Sequence, residues 1–282
     1  MKPIRSNPEI TQPSPFRATP NIDVTVATKN SARTLNKCLS EIRANIPVHR
    51  LVVIDAGSND ETVTIAQNYD ASVVVESGPL GRVRYLQAQN CLTPWIAYID
   101  SDVYIYNSWW AEVSQYMDDE KVGMVLGFAD APVTTFPIYE VYLKHIARKF
   151  GTAAFSNTLV KREFVLSCHE LTTNIHAGED TILARHLKGL NKTIVTIPLA
   201  LCYHDKVAVS DHPKAYYRWG QSSRLVGGTQ GLKNLAKTLK NNVRNWLIFT
   251  LETGRPNVIL LAYLVYLWGW MLIGFVEARE IH

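Results

Sequence analysis

The sequence predicts an α/β fold with a largely parallel sheet and flanking helices. Between Asp23 and about Phe128, short β-rich runs alternate with helical stretches, the order in which parallel strands are joined across a sheet. Apolar runs such as LVVID and WIAYI each end on polar residues, and in such folds ligands bind beyond the carboxyl ends of strands. In chain order the strand candidates are Asp23–Ala27, Leu51–Asp55, Ser72–Val75, Trp95–Ile99 and Met124–Phe128. The helical candidates alternate with them, around Ala32–Ala44, Asp60–Tyr69, Arg82–Cys91 and Trp109–Met117. Residues 1–20 are proline-rich, without periodicity and without an apolar run, so they read as an extended leader and not as a secretory signal.

Charge is unevenly distributed. The chain carries 29 Lys+Arg against 25 Asp+Glu, a net +4. Residues 205–256 hold nine Lys/Arg and three Asp/Glu, so they carry +6 and the remainder −2. From Pro256 to Val276, 21 residues contain no charge. A helix over Val258–Val276 spans roughly 28 Å, about one hydrocarbon core, and is expected to be a transmembrane helix. Before it, Leu232, Leu235, Leu239, Val243, Trp246 and Phe249 recur at helical spacing, with Lys233, Lys237, Lys240 and Arg244 on the other face. That pattern suits an anionic membrane surface. The expected organisation is a leader (1–20), a catalytic domain (21–204), a basic amphipathic interface region (205–256) and a membrane anchor (257–282). The positive flank on the N-terminal side of the anchor places the catalytic domain in the cytoplasm, anchored by a single pass or at the interface. Four widely spaced cysteines without a CxxC pair read as reduced, buried thiols. Length and composition exclude a disulfide miniprotein, a collagen-like repeat and a disordered charged tail, and the distribution of charge gives no sign of a nucleic-acid-binding patch.

The polar residues that close the strands are the candidate site. They are Ala27-Thr28 with Asn30, Asp55 with Gly57-Ser58, and Asp100-Ser101-Asp102. Two carboxylates at i and i+2 closing a strand can converge on a hard divalent cation, Mn²⁺ or Mg²⁺, bound to a diphosphate. Neither GxGxxG nor GxxxxGK[ST] is present, so the dinucleotide fingerprint and the P-loop are excluded.

The ordered set DVTVATKNSARTL, LVVIDAGSNDET, Gly81-x-x-Arg84, IDSDV and AGEDTILARHL resembles the family 2 glycosyltransferases of GT-A fold, over about Asp23–His204. Two departures stand out: Ala56 occupies the place of a second Asp after Asp55, and Ala27-Thr28-Lys29-Asn30 replaces the family's P-T-Y-N. The resemblance implies that Asp55 hydrogen-bonds the nucleotide base, though Asp55 also reads as a helix cap. It implies that Arg84 neutralises the diphosphate, that Asp100 and Ser101 lie near the ribose, and that Asp102, with Asp100 and His204, holds the metal. Asp180 is implied as general base with Glu179 in support, their other reading being helix-start carboxylates. Gln221-Ser222-Ser223-Arg224 resembles the Q-x-x-R-W motif of cellulose-synthase-like relatives, with Leu225 in place of Trp, and reads alternatively as a basic turn at lipid headgroups.

The implied reaction is single displacement at the sugar C1 of a nucleotide-diphosphate sugar. Similarity to dolichyl-phosphate mannose synthases makes GDP-mannose the first expected donor, followed by UDP-hexoses. A sugar hydroxyl needs a base, whereas a lipid phosphate is already anionic. Glu179-Asp180 therefore favour a lipid-linked saccharide acceptor over bare polyprenyl or dolichyl phosphate. A non-catalytic nucleotide-sugar-binding scaffold is the reading from a different class.

Overall fold

The computed structural model describes residues 21–130, 137–150, 155–205, 212–254 and 256–278. The extended leader expected over residues 1–20 lies outside the described residues. Eight strands form one sheet: β1 (Ile22–Thr28), β2 (Val48–Asp55), β3 (Ser72–Val75), β4 (Trp95–Asp100), β5 (Val103–Ile105), β6 (Val122–Asp130), β7 (Asn157–Lys161) and β8 (Thr193–His204). Their spatial order is β3-β2-β1-β4-β7-β6-β8-β5. All five expected strands are present, and β3 matches its expected bounds.

The sheet is mostly parallel, as the sequence suggested, with two antiparallel strands that it did not reveal. β1 pairs in parallel with β2 and β4, β2 with β3, and β6 with β8. β7 enters antiparallel between β4 and β6, and β5 closes the far edge antiparallel to β8. Along β8 the register against β6 jumps from Gly127↔Ile197 to Phe128↔Ala200, so Pro198 and Leu199 are skipped. Pro198 has no N–H to give the ladder, and the slip bends the strand. Beyond the bend, His204 pairs with Val103, one residue after Asp102.

Helices cover both faces. On one side Leu35, Leu39 and Ile42 of α1 (Ala32–Asn45) and Trp109 and Val113 of α4 (Trp109–Ser114) pack on the sheet. On the other, α3 (Leu80–Gln89), α6 (Arg162–Ser167) and α7 (Glu179–Gly189) contribute Val83, Phe164, Val165, Leu183 and Leu187. Helix α2 (Thr62–Asn68) follows β2. Cys38, Cys91, Cys168 and Cys202 are buried thiols that form no disulfide, and burial pushes the Cys38 thiol well up.

A separate helical unit comprises α5 (Pro137–Phe150), α8 (His212–Thr253) and α9 (Val258–Glu277). Helix α8 doubles back. Were it straight, His212 and Phe249 would lie roughly 55 Å apart at 1.5 Å per residue. Instead His212 meets Tyr139 at 5.2 Å, Phe249 meets Tyr142 at 5.7 Å, and those two tyrosines stack at 6.3 Å. A Cβ at Gly231 would collide with the Ser223 carbonyl oxygen, which puts the reversal between these residues. The second arm, from Gly231 to Thr253, runs antiparallel to α9: Trp268 Nε1 donates to Leu235 O at 3.0 Å and Trp246 Nε1 to Asn257 O at 2.9 Å. Leu235 and Phe249 of the expected apolar stripe are therefore buried, while Leu232 and Val243 are exposed beside exposed Lys233, Lys237, Lys240 and Arg244.

Candidate active site

The loops leaving β1 and β2 are locked to each other. Asn30, at φ +49°, accepts from Asn59 N on Oδ1 (2.9 Å) while its own N–H donates to Ser58 Oγ (2.8 Å). Ser31 N donates to Thr62 Oγ1 (2.7 Å) and Ala32 N to Asp60 Oδ2 (3.1 Å). Asp55 is at the centre of this lock. It is buried, and its two oxygens accept from Thr28 Oγ1 (2.9 Å), Gly57 N (3.0 Å), Ser58 N (2.8 Å) and Ser58 Oγ (2.5 Å). Burial alone would raise its pKa, but the hydrogen bonds from Ser58, Thr28 and Gly57 outweigh it and hold the carboxyl below its usual range.

At the carboxyl end of β4, the chain turns through Asp100-Ser101-Asp102 into β5. Because β5 pairs with β8, His204 is brought opposite this turn, and His204 Nε2 lies 3.2 Å from Asp102 Oδ1. One ligand atom from each of Asp100, Asp102 and His204 falls within 4.8 Å of the others. All three side chains are half-buried. Two carboxylates and an imidazole, on a turn fixed by strand pairing, fit a hard divalent cation such as Mn²⁺. Ser101 Oγ lies 2.9 Å from Ser31 Oγ, tying this turn to the β1 loop.

Arg84 connects the metal-type cluster to α7. Its guanidinium is 5% exposed, donates from Nη2 to Asp100 Oδ1 at 2.7 Å and sits 3.6 Å from Glu179 Oε1 through Nε. The Phe155 ring lies 5.0 Å from its Cζ. Burial works against its charge, yet Asp100 and Glu179 keep its pKa raised. Glu179 opens α7 after Gly178, whose φ of +82° suits a residue without Cβ. Burial pushes Glu179 up to about 7, with Arg84 pulling down and Asp180 pushing up. Asp180 is also raised, chiefly by burial, although Thr181 N donates to it at 2.6 Å.

A cavity of about 1,040 Å³ opens over these groups, large enough for a nucleotide sugar together with an acceptor. The β1 loop and the Asp100–Asp102 turn form its floor, with Arg84 at one side. Its far wall comes from the helical unit: Arg218 and Gln221 of α8 and, from the end of α9, Glu277 and Ala278. Tyr217 Oη donates to Glu277 Oε2 at 3.0 Å and receives from Gln221 Nε2 at 3.3 Å. Ser222 Oγ accepts from Ala177 N at 3.0 Å, pinning α8 to the loop that precedes Glu179.

Residues 23–171 match the family described as Glycosyl transferase family 2. The chain belongs to this family. A relative from Rickettsia felis, described as an uncharacterized glycosyltransferase, is 31% identical over 101 residues, covering 35% of this chain and 32% of that protein. The matched part is thus about a third of that relative's length. Among solved structures, the chain resembles glucosyl-3-phosphoglycerate synthase from Mycobacterium tuberculosis in complex with Mn²⁺, UDP and glucosyl-3-phosphoglycerate. The identity is 16% and the TM-score 0.51, over 68% of this chain and 74% of that one. It also resembles S. aureus TarS, at 17% identity and TM-score 0.52 over 73% of this chain and 40% of that one. At these identities the likeness concerns the fold.

Within this family member the expected site residues divide into three groups. Ala27, Thr28, Asn30, Arg84, Asp100, Ser101, Asp102 and Gln221 line the cavity, and His204 joins the aspartates at its floor. Asp55, Glu179 and Asp180 stand behind the lining; Asp55 is wholly engaged by its own loops, and Glu179 meets the site through Arg84. Arg224 is turned away, its guanidinium 5.3 Å from the Phe275 ring, and Arg218, earlier on the same helix, lines the cavity in its stead. Sequence reasoning missed Lys29, Ser31, Arg33, His176, Arg218 and Glu277 among the lining residues. Lys29, Ser31 and Arg33 sit beside Asn30 in the first loop and were legible by adjacency. Nothing in the sequence signals Glu277, which reaches the cavity only because α9 returns to it.

Proposed function

We propose that this protein is a metal-dependent, inverting glycosyltransferase that moves one sugar from a nucleotide-diphosphate sugar to a lipid-linked saccharide at a membrane surface. The observation that carries the reading is the Asp100–Asp102–His204 cluster at the floor of a cavity walled by the family's donor-side loops. Asp102 and His204 would hold the cation, with Asp100 shared between it and Arg84. When bound, the cation offsets the charge that develops on the leaving diphosphate. Lys29, Arg33 and Arg218, all on the cavity lining, add positive charge for the same phosphates. Thr28, Asn30 and Ser101 present backbone and hydroxyl groups to the nucleoside. Asp55 shapes the loop that receives the base, because a direct contact requires it to exchange one of its four donors. Asp180, half-buried just behind the lining at the start of α7, would take the acceptor proton once an acceptor reaches past the lining to it, and Glu179, in contact with Arg84, sets the charge balance beneath it.

A UDP-sugar is now favoured ahead of GDP-mannose as donor, supported by the UDP and UDP-glucose named in complexes of glucosyl-3-phosphoglycerate synthase. Membrane attachment is supported by α9, the one helix among the described residues long and apolar enough to cross a bilayer. The test is a thermal-shift panel of UDP- and GDP-sugars with and without Mn²⁺, on wild-type protein and Asp102→Ala. Mn²⁺-dependent protection by a UDP-sugar, lost in Asp102→Ala, supports the reading. Protection by GDP-mannose alone would return the donor to guanosine, and no metal-dependent protection by any nucleotide sugar overturns the function.

A further inference from the structure

The place where α9 ends conflicts with a crossing. The helix is 20 residues long, about 30 Å at 1.5 Å per residue. A spanning anchor that leaves the catalytic side at Val258 would carry Glu277 to the opposite face of the bilayer. Instead Glu277 and Ala278 line the same cavity as Asp100 and Asp102, and Glu277 is held there by Tyr217 Oη. The end of the helix is therefore on the catalytic side.

A hairpin that dips in tip first is excluded by the partner arm. The second arm of α8 lies along α9 from Leu235 at Trp268 to Trp246 at Asn257. Over that length Lys237, Lys240 and Arg244 are exposed, with Lys233 just before them. Hydrocarbon on all sides of the pair would surround the ammonium groups of Lys233, Lys237 and Lys240, and α8 carries no carboxylate between Leu232 and Leu251.

What remains is lateral contact. On α9, Leu260, Leu264, Leu267, Met271 and Phe275 face inward. Val258, Ile259, Val265, Tyr266, Ile273 and Val276 face outward, from 42% to 73% exposed, with no charged residue among them. On α8 an exposed stripe of Leu232, Val243, Leu247 and Leu251 runs beside the four cations, an arrangement matched to acyl chains bordered by anionic headgroups.

Building on the membrane-anchored reading above, we infer that α9 does not cross the bilayer but lies in the plane of an anionic membrane surface, its outward face in the acyl region and its C-terminus on the catalytic side. The active-site cavity then opens at headgroup level, beside the end of the embedded helix.

The test uses the full chain, with a protease-cleavable tag at each terminus, in inverted membrane vesicles. Cleavage of both tags without detergent is expected. Cleavage of the N-terminal tag alone, with the C-terminal tag released only by detergent, means that α9 crosses and overturns the inference. In parallel, Val265→Asp with Ile273→Asp should lower binding to vesicles containing phosphatidylglycerol by at least about tenfold. Wild-type binding by that double variant, or equal wild-type binding to neutral vesicles, also overturns it. Donor hydrolysis in detergent should stay at the wild-type level in the double variant, so a failed topology is distinguishable from a failed transferase reading.

Discussion

Replacing Glu179 with Gln isolates the energetic state of the carboxylate that Arg84 holds beneath the cavity. Glu179 is 7% exposed, and burial pushes its carboxyl up to about 7 from an ordinary 4.5. At 1.36 kcal/mol per unit, the ceiling is about 3 kcal/mol of pH-linked stability. Asp180 shifts in the same direction for a related reason and relaxes when its neighbour loses charge, so about 2 kcal/mol is the expected net effect. The sign follows from proton binding. Between pH 4.5 and 7 the folded protein holds a proton that the unfolded chain has released, so the Glu179 contribution is full below 4.5 and is lost as pH rises through 7. Urea unfolding of wild type and Glu179→Gln at several values between pH 5 and 8 reads this out. The variant should gain about 2 kcal/mol relative to wild type across that interval, whatever constant offset the lost Arg84 contact introduces. Parallel stability–pH curves for the two proteins would refute the reasoning, because they would mean that Glu179 ionises on folding as readily as in water.

Three further outcomes follow from the same geometry. Asp102→Ala should lower metal-dependent transfer by at least about 10²-fold, and His204→Ala by less, measured as sugar release at saturating Mn²⁺. Equal activity of Asp102→Ala and wild type would remove the cluster from the reaction. Arg84→Met leaves Asp100 and Glu179 facing each other without their cation and should cost about 3–5 kcal/mol in urea unfolding at pH 8, less at pH 5, where Glu179 is neutral. Gly274→Val places a side chain against the Tyr217 carbonyl oxygen, so it should separate α9 from α8 and weaken donor protection in a thermal-shift assay, while Gly269→Ala, with nothing near its Cβ position, should leave it unchanged.

The donor half of the site was legible because its chemistry sits at strand ends. Apolar runs marked β1, β2 and β4; the polar residues closing β1 and β4 line the cavity, while Asp55 at the end of β2 stands behind it and holds the loops in place. β5, β7 and β8 were less visible for identifiable reasons. β5 has three residues, β7 is an antiparallel insertion that no local pattern distinguishes, and Pro198 interrupts the β8 run. Helical spacing between Leu232 and Phe249 matches the second arm of α8, but the stripe the sequence assigns to lipid is divided, with Leu235 and Phe249 packed against α9. One amphipathic pattern serves either partner, so only tertiary contact decides. The reversal of α8 had the same effect on Arg224 and Arg218: a motif match selected the first, and the fold turned the second towards the cavity.

The contact between α8 and α9 is made through Gly220 and Gly274, and that between the two arms of α8 through Gly231. Side chains at Gly220, Gly231 or Gly274 would run into backbone of the facing segment, so these chains touch along their main-chain atoms. Such a joint draws on dispersion between closely fitted surfaces, which acts in hydrocarbon as it does in water, more than on expulsion of solvent. The helical wall of the cavity can then keep one geometry whether the surrounding medium is detergent, lipid or buffer. Solvent-indifferent packing makes the wall a fixed template, and the shape presented to an acceptor is the same in each of these media.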